Sequence, residues 1–392
     1  MTTEAEDDWE GALRIVMVAP PWEEVPPRAY GGIEQMLADL ITGLSARGHE
    51  VTLIGAGSTG LPAKFLVTYP EAPSERIGEG LPEVLHAAQA WRALEGLPAD
   101  IVHDHSLAGP LTALGRATPT VVTCHGDAGG ELGEVYRALG ERVNLIAVSD
   151  AQRADAPDLN WIATVHNALD TASFPFREHK EDWVLWLGRF SHSKGTHLAI
   201  DAARAAGRRI VLAGKLTEPC EHVYFDEHVR PRLGPGVTYL GEADAGRKRE
   251  LLAAARCMVF PIQWEEPFGM VVIEAMACGT PVVAIGRGAV PEIVVDGVTG
   301  FVLREAAELP AAIEAAGRLD PRACRAHVER HFGVAAMAAA YEAVYRRMLA
   351  APRPAGLADE PGGRGDVQRW GSPVSRPPGR CTCRPAPTPP PP

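Results

Sequence analysis

The 392-residue sequence contains no run that approaches the ~20 apolar residues needed to cross a membrane. Its first residues, MTTEAEDDWEG, are acidic and lack the basic and apolar regions of a signal peptide. No basic stripe offsets the formal charge of −12, which argues against a nucleic-acid partner. We therefore expect a cytoplasmic protein without a transmembrane segment, for which peripheral membrane contact stays open.

The seven cysteines do not form a disulfide framework. Cys124, Cys257 and Cys278 lie in apolar strand or helix contexts, which fits buried thiols in a reducing compartment. Cys381 and Cys383 alone are a poor metal site, because structural zinc takes four ligands. We expect neither a metal nor another cofactor.

Short apolar runs rich in Val, Ile and Leu alternate with helical patterns in two successive series. The first series begins with RIVMVAP at residues 14–20 and the second with WVLWLGR at residues 183–189. Uninterrupted apolar strands separated by helices are typical of a parallel sheet that is covered on both faces. The sequence therefore predicts an α/β fold of two Rossmann-like, doubly wound domains facing across a cleft, with ligands at the carboxyl ends of the strands.

Changes in this pattern divide the chain. A polar, Pro-containing stretch separates the two series, and the last part becomes rich in Pro, Gly and Arg, which predicts a disordered tail. The resulting ranges are a flexible N-terminus (1–12), an N-terminal Rossmann-like domain (13–170), a linker (171–182), a C-terminal Rossmann-like domain (183–334), a C-terminal helix that can pack back on the first domain (335–351), and the Pro-rich tail (352–392).

The loop after the first strand does not have the sequence of a dinucleotide-binding site. Such a site needs G-x-G-x-x-G after the first strand and an acid at the end of the second. The first strand instead leads into APPWEEVPPRAYGGIEQ, and the second ends as LIGAGSTG without a carboxylate. Gly31 and Gly32 precede a predicted helix, where the backbone can approach a ligand and helix-end N–H groups can meet phosphate. A plain turn is the alternative interpretation.

Two cations follow the first strand of the second series. Arg189 and Lys194 lie in GRFSHSKG, just before a helix. Positive charge at the carboxyl end of a strand suits a diphosphate leaving group, for which Arg offers a planar fork and Lys a mobile point charge. A solvated surface pair is the alternative.

Two acids stand in the otherwise apolar segment EPFGMVVIEAMACGTPVVA. We expect Pro267 to begin a helix and Gly279 to end it, which would place Glu266 and Glu274 about 12 Å apart along the axis. A buried carboxylate needs a partner or a ligand. Two alternatives to ligand binding are that Glu266 only stabilises the helix end and that Glu274 forms an ion pair with an arginine. Glu265 could take the ligand-binding role in place of Glu266, but this is less favoured.

Several polar residues at strand ends are candidates for the cleft. His125 ends a strand, and His103 and His105 share one face of theirs by the period of two. A metal would need a third ligand, so we favour a cleft-lining or structural role for this histidine pair. Ser149 borders an acceptor or caps a helix, and Asn167 lies where the linker begins and is a candidate for shaping the hinge.

Five segments together resemble a known family. They are AYGGIE, VTCHG, VHNALD, GRFSHSKG and EPFGMVVIEAMACGTPVVA, in this order across roughly residues 14–350. They look like the motifs of the GT-B-fold retaining glycosyltransferases of family 4, also called glycosyl transferases group 1. The two segments of the second domain are specific in combination, whereas the glycine loop and the His-Gly motif are individually weak.

The resemblance implies a metal-independent, retaining glycosyltransferase that moves a sugar from a nucleoside-diphosphate sugar, UDP- or GDP-linked, to an acceptor. It assigns the donor to the second domain and the acceptor to the first, Glu274 to the ribose, and Glu266 to the sugar hydroxyls. The implied catalytic residues are His125, Arg189, Lys194 and Glu266; the implied donor-binding residues are Gly31, Gly32, Arg189, Lys194, Glu266, Phe268, Gly269, Met270 and Glu274; the candidate acceptor or cleft residues are His105, Ser149 and Asn167.

Two alternatives remain open at this stage. A GT-B nucleotide-sugar 2-epimerase would share the fold and the donor. A non-catalytic sugar-nucleotide-binding protein would share the site without turnover.

Overall fold

A computed structural model describes residues 11–28 and 31–350. The predicted flexible N-terminus lies outside the described residues except for residues 11 and 12, and so does the predicted Pro-rich tail. No helix in the described ranges is long and apolar enough to cross a membrane.

The first half of the chain forms a seven-stranded parallel sheet in the order β3-β2-β1-β4-β5-β6-β7. Its strands are β1 (Arg14–Val18), β2 (Glu50–Ala56), β3 (Lys64–Tyr69), β4 (Ile101–Asp104), β5 (Thr120–Cys124), β6 (Asn144–Ala147) and β7 (Trp161–Thr164). Its helices are α1 (Gly32–Ala46), α2 (Gly80–Leu94), α3 (Gly109–Ala113), α4 (Glu131–Leu139) and α5 (Asp150–Asp155).

The second half forms a six-stranded parallel sheet in the order β10-β9-β8-β11-β12-β13. The strands are β8 (Trp183–Leu187), β9 (Arg209–Ala213), β10 (Val237–Tyr239), β11 (Cys257–Phe260), β12 (Val282–Ile285) and β13 (Gly300–Leu303). The helices that follow them are α6 (Thr196–Ala205), α7 (Pro219–Tyr224), α8 (Ala245–Ala254), α9 (Met270–Ala277), α10 (Val290–Ile293), α11 (Leu309–Ala316), α12 (Pro321–His331) and α13 (Val334–Ala350).

The central strands are apolar on both faces because each face supports a helical layer. Along β1, Ile15 and Met17 join the core formed with α1, whereas Val16 and Val18 join the core formed with α2. Successive side chains of a strand point to opposite faces, so an uninterrupted apolar run supplies both layers. The two doubly wound sheets predicted from the sequence are therefore confirmed.

The last described helix, α13, packs against α1 of the first sheet. Tyr341 and Tyr345 are fully buried in that core. The two helices come close at Gly43, where a Cβ would lie 2.9 Å from Ala338 Cβ and 2.9 Å from Val334 Cγ1. Glycine at this position therefore allows α13 to seat on α1.

We expect Gly43→Val to destabilise the protein by about 1–3 kcal/mol, because the added side chain overpacks the contact between α1 and α13. Gly80→Val is the control, since a Cβ at that helical glycine meets no atom within 4 Å. Urea unfolding monitored by circular dichroism measures both variants. Equal unfolding midpoints for the two variants would contradict the packing account.

Candidate active site

The loops that follow β8 and β11 meet at the carboxyl edge of the second sheet. Gly195 has φ 63°, and a Cβ there would clash with the carbonyl oxygen of Pro261. Gln263 N donates a 2.7 Å hydrogen bond to Ser193 O across the same junction. This close approach brings Lys194, at the end of a short 3₁₀ turn, beside the EEPFG segment.

Lys194 and Glu266 form an ion pair. Lys194 Nζ lies 2.5 Å from Glu266 Oε2, and Trp264 Nε1 donates to the same oxygen at 3.1 Å. The ammonium also lies 5.1 Å from the ring centroid of Trp264 and 5.7 Å from that of Phe260. Glu266 is buried, so these donors replace the hydration that its carboxylate has lost.

Glu265 turns away from this pair. Its carboxylate accepts from Gly288 N at 2.6 Å and from Arg287 at 3.2 Å, and half of its side chain is exposed. The backbone of Glu266 is held by the same loop, because Ala289 N donates to its carbonyl at 2.9 Å. Of the two neighbouring acids, Glu266 is therefore the one that faces Lys194.

The helix in this segment begins later than the sequence suggested. α9 starts at Met270, and Gly269 precedes it with φ 89° in the left-handed region. The prediction that Pro267 begins the helix is therefore wrong, and the ~12 Å axial spacing does not apply, because Glu266 lies in the loop. The end of the helix before Gly279, which has φ 78°, agrees with the prediction.

The glycine loop of the first domain faces the start of α9. A Cβ on Gly32 would lie 3.6 Å from Met270 Cγ, and Met270 packs against the cores of both sheets. Phe268 turns its ring into the core, 5.9 Å from the ring of Phe332, so only its backbone is available to a ligand. A Cβ on Gly31 would lie 2.6 Å from Pro27 Cβ, so this loop has no room for larger residues.

Arg189 is engaged by acids at the start of α7. Its Nε donates to the buried Glu221 at 2.7 Å, and its Nη2 pairs with Glu218. Glu221 Oε2 also accepts from the backbone N–H groups of Thr217 and Glu218, which fixes its position. Arg189 is therefore not a freely solvated cation.

Glu274 is buried on α9 with a lysine as its partner. Lys248 Nζ on α8 lies 2.8 Å from Glu274 Oε1. The predicted alternative of an ion pair with an arginine is wrong in the identity of the cation. Lys248 belongs to the segment AGRKRELL, which contains several charged residues. The sequence alone does not show which of them turns inwards.

The three histidines of the first sheet lie together. His105 Nδ1 and His125 Nε2 are 2.8 Å apart, and the rings of His103 and His105 have centroids 3.9 Å apart. Burial lowers the pKa of His125 to about 4 and lowers that of the other two well below the usual value, so all three are neutral at pH 7. Both ring nitrogens of His103 are occupied, by Tyr345 and Thr123, which supports a structural role over a metal-binding one.

Ser149 caps a helix in the structure. Its hydroxyl is fully buried and accepts from Gln152 N at 3.0 Å, so it caps α5. The side chain is not accessible in this structure, which favours the capping role, and the acceptor role stays a prediction. Asn167 is also buried, next to His166 at the crossing between the two sheets, and its Oδ1 has no hydrogen-bond partner among the described residues.

Glu292 links the two halves and was not singled out from the sequence. It accepts from Asp150 N at 2.9 Å, from Ala151 N at 2.6 Å, and lies 3.1 Å from His166 Nε2. Burial acts to raise its pKa, but these hydrogen bonds outweigh burial and the pKa is lowered. The carboxylate of α10 therefore stays ionised at the start of α5.

Comparisons with known proteins fit this geometry. The family model Glycosyltransferase Family 4 matches residues 30–173, and Glycosyl transferases group 1 matches residues 171–320. The crystal structure of AviGT4, a glycosyltransferase involved in avilamycin A biosynthesis, superposes with a TM-score of 0.68. The two sequences are 30% identical, and the alignment covers 87% of this chain and 99% of the AviGT4 chain. This chain is a GT-B glycosyltransferase of family 4.

This family-4 glycosyltransferase is also similar to proteins that are named for different products or ligands. Glycogen synthase of Mycobacterium tuberculosis strain H37Rv is 28% identical over 410 residues, covering 87% of this chain and 95% of that protein. The Anabaena protein HepE, solved in complex with UDP-glucose, shares the fold at 19% identity and a TM-score of 0.65, covering 85% of this chain and 99% of that one.

We expect Ser149→Ala to destabilise the protein by about 1 kcal/mol, because α5 loses its cap, while kcat/KM stays within about twofold. Asp320→Ala is a matched control, since Asp320 caps α12 by accepting from Arg322 N. Urea unfolding and initial rates test both variants. A large loss of kcat/KM in Ser149→Ala, but not in Asp320→Ala, would instead support a role for Ser149 in acceptor binding.

Proposed function

We propose that this glycosyltransferase transfers a glycosyl group from a nucleoside-diphosphate sugar, UDP- or GDP-linked, to an acceptor with retention of anomeric configuration. The observation that carries the proposal is the pair Lys194–Glu266, held at the carboxyl ends of β8 and β11. The cation suits the diphosphate of such a donor, and the neighbouring acid suits the sugar hydroxyls.

Donor binding would separate this pair. Lys194 turns to the phosphate oxygens and Glu266 to the sugar hydroxyls, so each exchanges one charged partner for a ligand group. Trp264 keeps its hydrogen bond to Glu266 during the exchange, so the carboxylate is not left without a donor. The backbone of Phe268, Gly269 and Met270 adds N–H groups at the start of α9.

Arg189 is proposed as the second cation on the diphosphate. Glu221 is buried and accepts from three donors, so it remains in place and orients the guanidinium. Glu218 is more exposed and is the partner that yields to phosphate oxygens. Together Arg189 and Lys194 offset the charge of the leaving group, so we expect activity in the presence of a metal chelator.

Glu274 is proposed to bind the ribose. Lys248 holds Oε1, and we assign a ribose hydroxyl to the other carboxylate oxygen. The same contact pairs the buried carboxylate with a cation when no nucleotide is bound. Lys248 thus acts through Glu274 as a positioning residue.

On the opposite side of the cleft, Gly31, Gly32 and His125 are proposed to approach the donor sugar. His125 is neutral at pH 7, so it offers a hydrogen bond without placing a further positive charge beside the anomeric carbon. Retention without a protein nucleophile is the chemistry that the resemblance to the retaining family-4 enzymes implies. We propose departure and attack on one face of the sugar.

A donor screen tests this function. The panel contains UDP-, GDP- and ADP-sugars. We expect the purified chain to hydrolyse a UDP- or GDP-sugar, or to transfer sugar from it, and to do so in the presence of EDTA as well. Proton NMR of the product formed with an acceptor reads the anomeric configuration. An inverted product contradicts retention, and an epimer formed without any acceptor favours the 2-epimerase.

We expect Lys194→Ala and Glu274→Ala each to lower kcat/KM by roughly 10²–10³, which is typical of losing one charge-stabilising group at a reacting site. Lys64→Ala, at an exposed lysine on β3, is the matched control and should leave kcat/KM unchanged. Thermal unfolding checks that the folded state is kept. Wild-type kinetics in a folded Lys194→Ala variant would contradict the proposed site.

A further inference from the structure

Helix α2 exposes its apolar face. Leu81, Val84, Leu85 and Trp91 are exposed by 74%, 56%, 48% and 47%, and their spacing follows one side of a helix. The inner side packs the small apolar residues Ala87 and Ala90 beside the buried polar residues Glu83 and His86. A surface helix of a monomer turns its large apolar side chains inwards, so an outer face with four of them is suited to a partner.

The apolar face continues onto α3. The buried Glu83 lies close to the backbone of Leu107 and Ala108, and α3 packs beside α2. The eight large apolar side chains of this α2–α3 face are Ile77, Leu81, Val84, Leu85, Trp91, Leu107, Leu111 and Leu114. Their exposed surface is on the order of 700 Å², above the ~300–600 Å² of the largest patch on a typical monomer.

We propose that the α2–α3 face is the interface on which a second copy of this chain docks, with α2 packed against α2 about a two-fold axis. The available apolar surface is close to the ~800 Å² that each partner buries in a standard interface. Leu81, Val84, Ala88 and Trp91 repeat at the three- and four-residue spacing of a helix-pairing seam, and the exposed Ala88 allows close approach. A self-complementary patch of this kind produces a closed dimer.

The charges at the ends of α2 fit an antiparallel pair. Glu79 precedes the helix and Arg92 lies in its last turn. When two copies run antiparallel, Arg92 of each copy approaches Glu79 of the other, and Glu95 approaches Arg76 in the same way. The two-fold axis therefore places opposite charges against each other at both ends of the helix pair.

A lipid surface fits the α2–α3 face less well. A helix that lies on a membrane has a Lys- and Arg-rich polar face, whereas α2 contains Arg92 as its only basic residue of these two types. The exposed charges around the helix are also balanced, with Arg76 paired to Glu79. Such a balance gives no attraction to an anionic bilayer.

Sedimentation velocity and light scattering of the full chain at tens of micromolar test the proposal. We expect a species of about twice 41.9 kDa that dissociates on dilution. Leu81→Glu and Trp91→Glu should each raise the dimer dissociation constant at least tenfold. Val298→Glu is the control, since Val298 is exposed by 47% in the second half of the chain, before β13, and should leave the dimer unchanged.

A charge exchange tests the antiparallel arrangement. Arg92→Glu should weaken the dimer, and adding Glu79→Arg should restore it. A monomeric parent chain at these concentrations overturns the proposal, and so does a dimer that survives both Leu81→Glu and Trp91→Glu. A monomer that co-sediments with phosphatidylcholine vesicles, and loses this binding in Leu81→Glu, also overturns it and assigns the face to a membrane.

Discussion

The contact between Gly195 and the carbonyl of Pro261 determines where the candidate site can form. It draws the loops after β8 and β11 together, so a lysine from one loop reaches a glutamate from the other. Any side chain at Gly195 would push the two loops apart and separate Lys194 from Glu266. The charge pair at the centre of the site thus depends on the absence of one Cβ.

The residues that we propose to bind the donor lie in three cation–carboxylate clusters. Lys194 pairs with Glu266, Arg189 with Glu218 and Glu221, and Lys248 with Glu274. These pairs keep the partly buried charges satisfied before a ligand arrives, because an unpaired charge in such an environment is costly. A ligand that carries both phosphates and hydroxyls can replace partners on both sides of a pair at once, which an inorganic phosphate cannot do.

The sequence predicts the doubly wound architecture well, because apolar strands such as β1 must serve two helical layers. It predicts less about β3, β7 and β13, whose four to six residues are partly exposed and give no continuous apolar signal. Within the site, the residues in GRFSHSKG and EPFG come together as expected. Lys248 and Glu292 escaped notice because their roles come from distant contacts, and the start of α9 was misplaced because Gly269 takes a left-handed conformation that overrides Pro267 as a start signal.

The chain passes between the two sheets twice at the same place. Leu169, on the first passage, donates from its backbone to Phe332 O at 3.1 Å and forms a parallel bridge with Gly333 on the second. Because the two crossings are hydrogen-bonded side by side, sliding of one past the other would break this bridge. A change in the angle between the lobes can keep the bridge, but it must contend with the hydrogen bonds that Glu292 accepts from the first turn of α5.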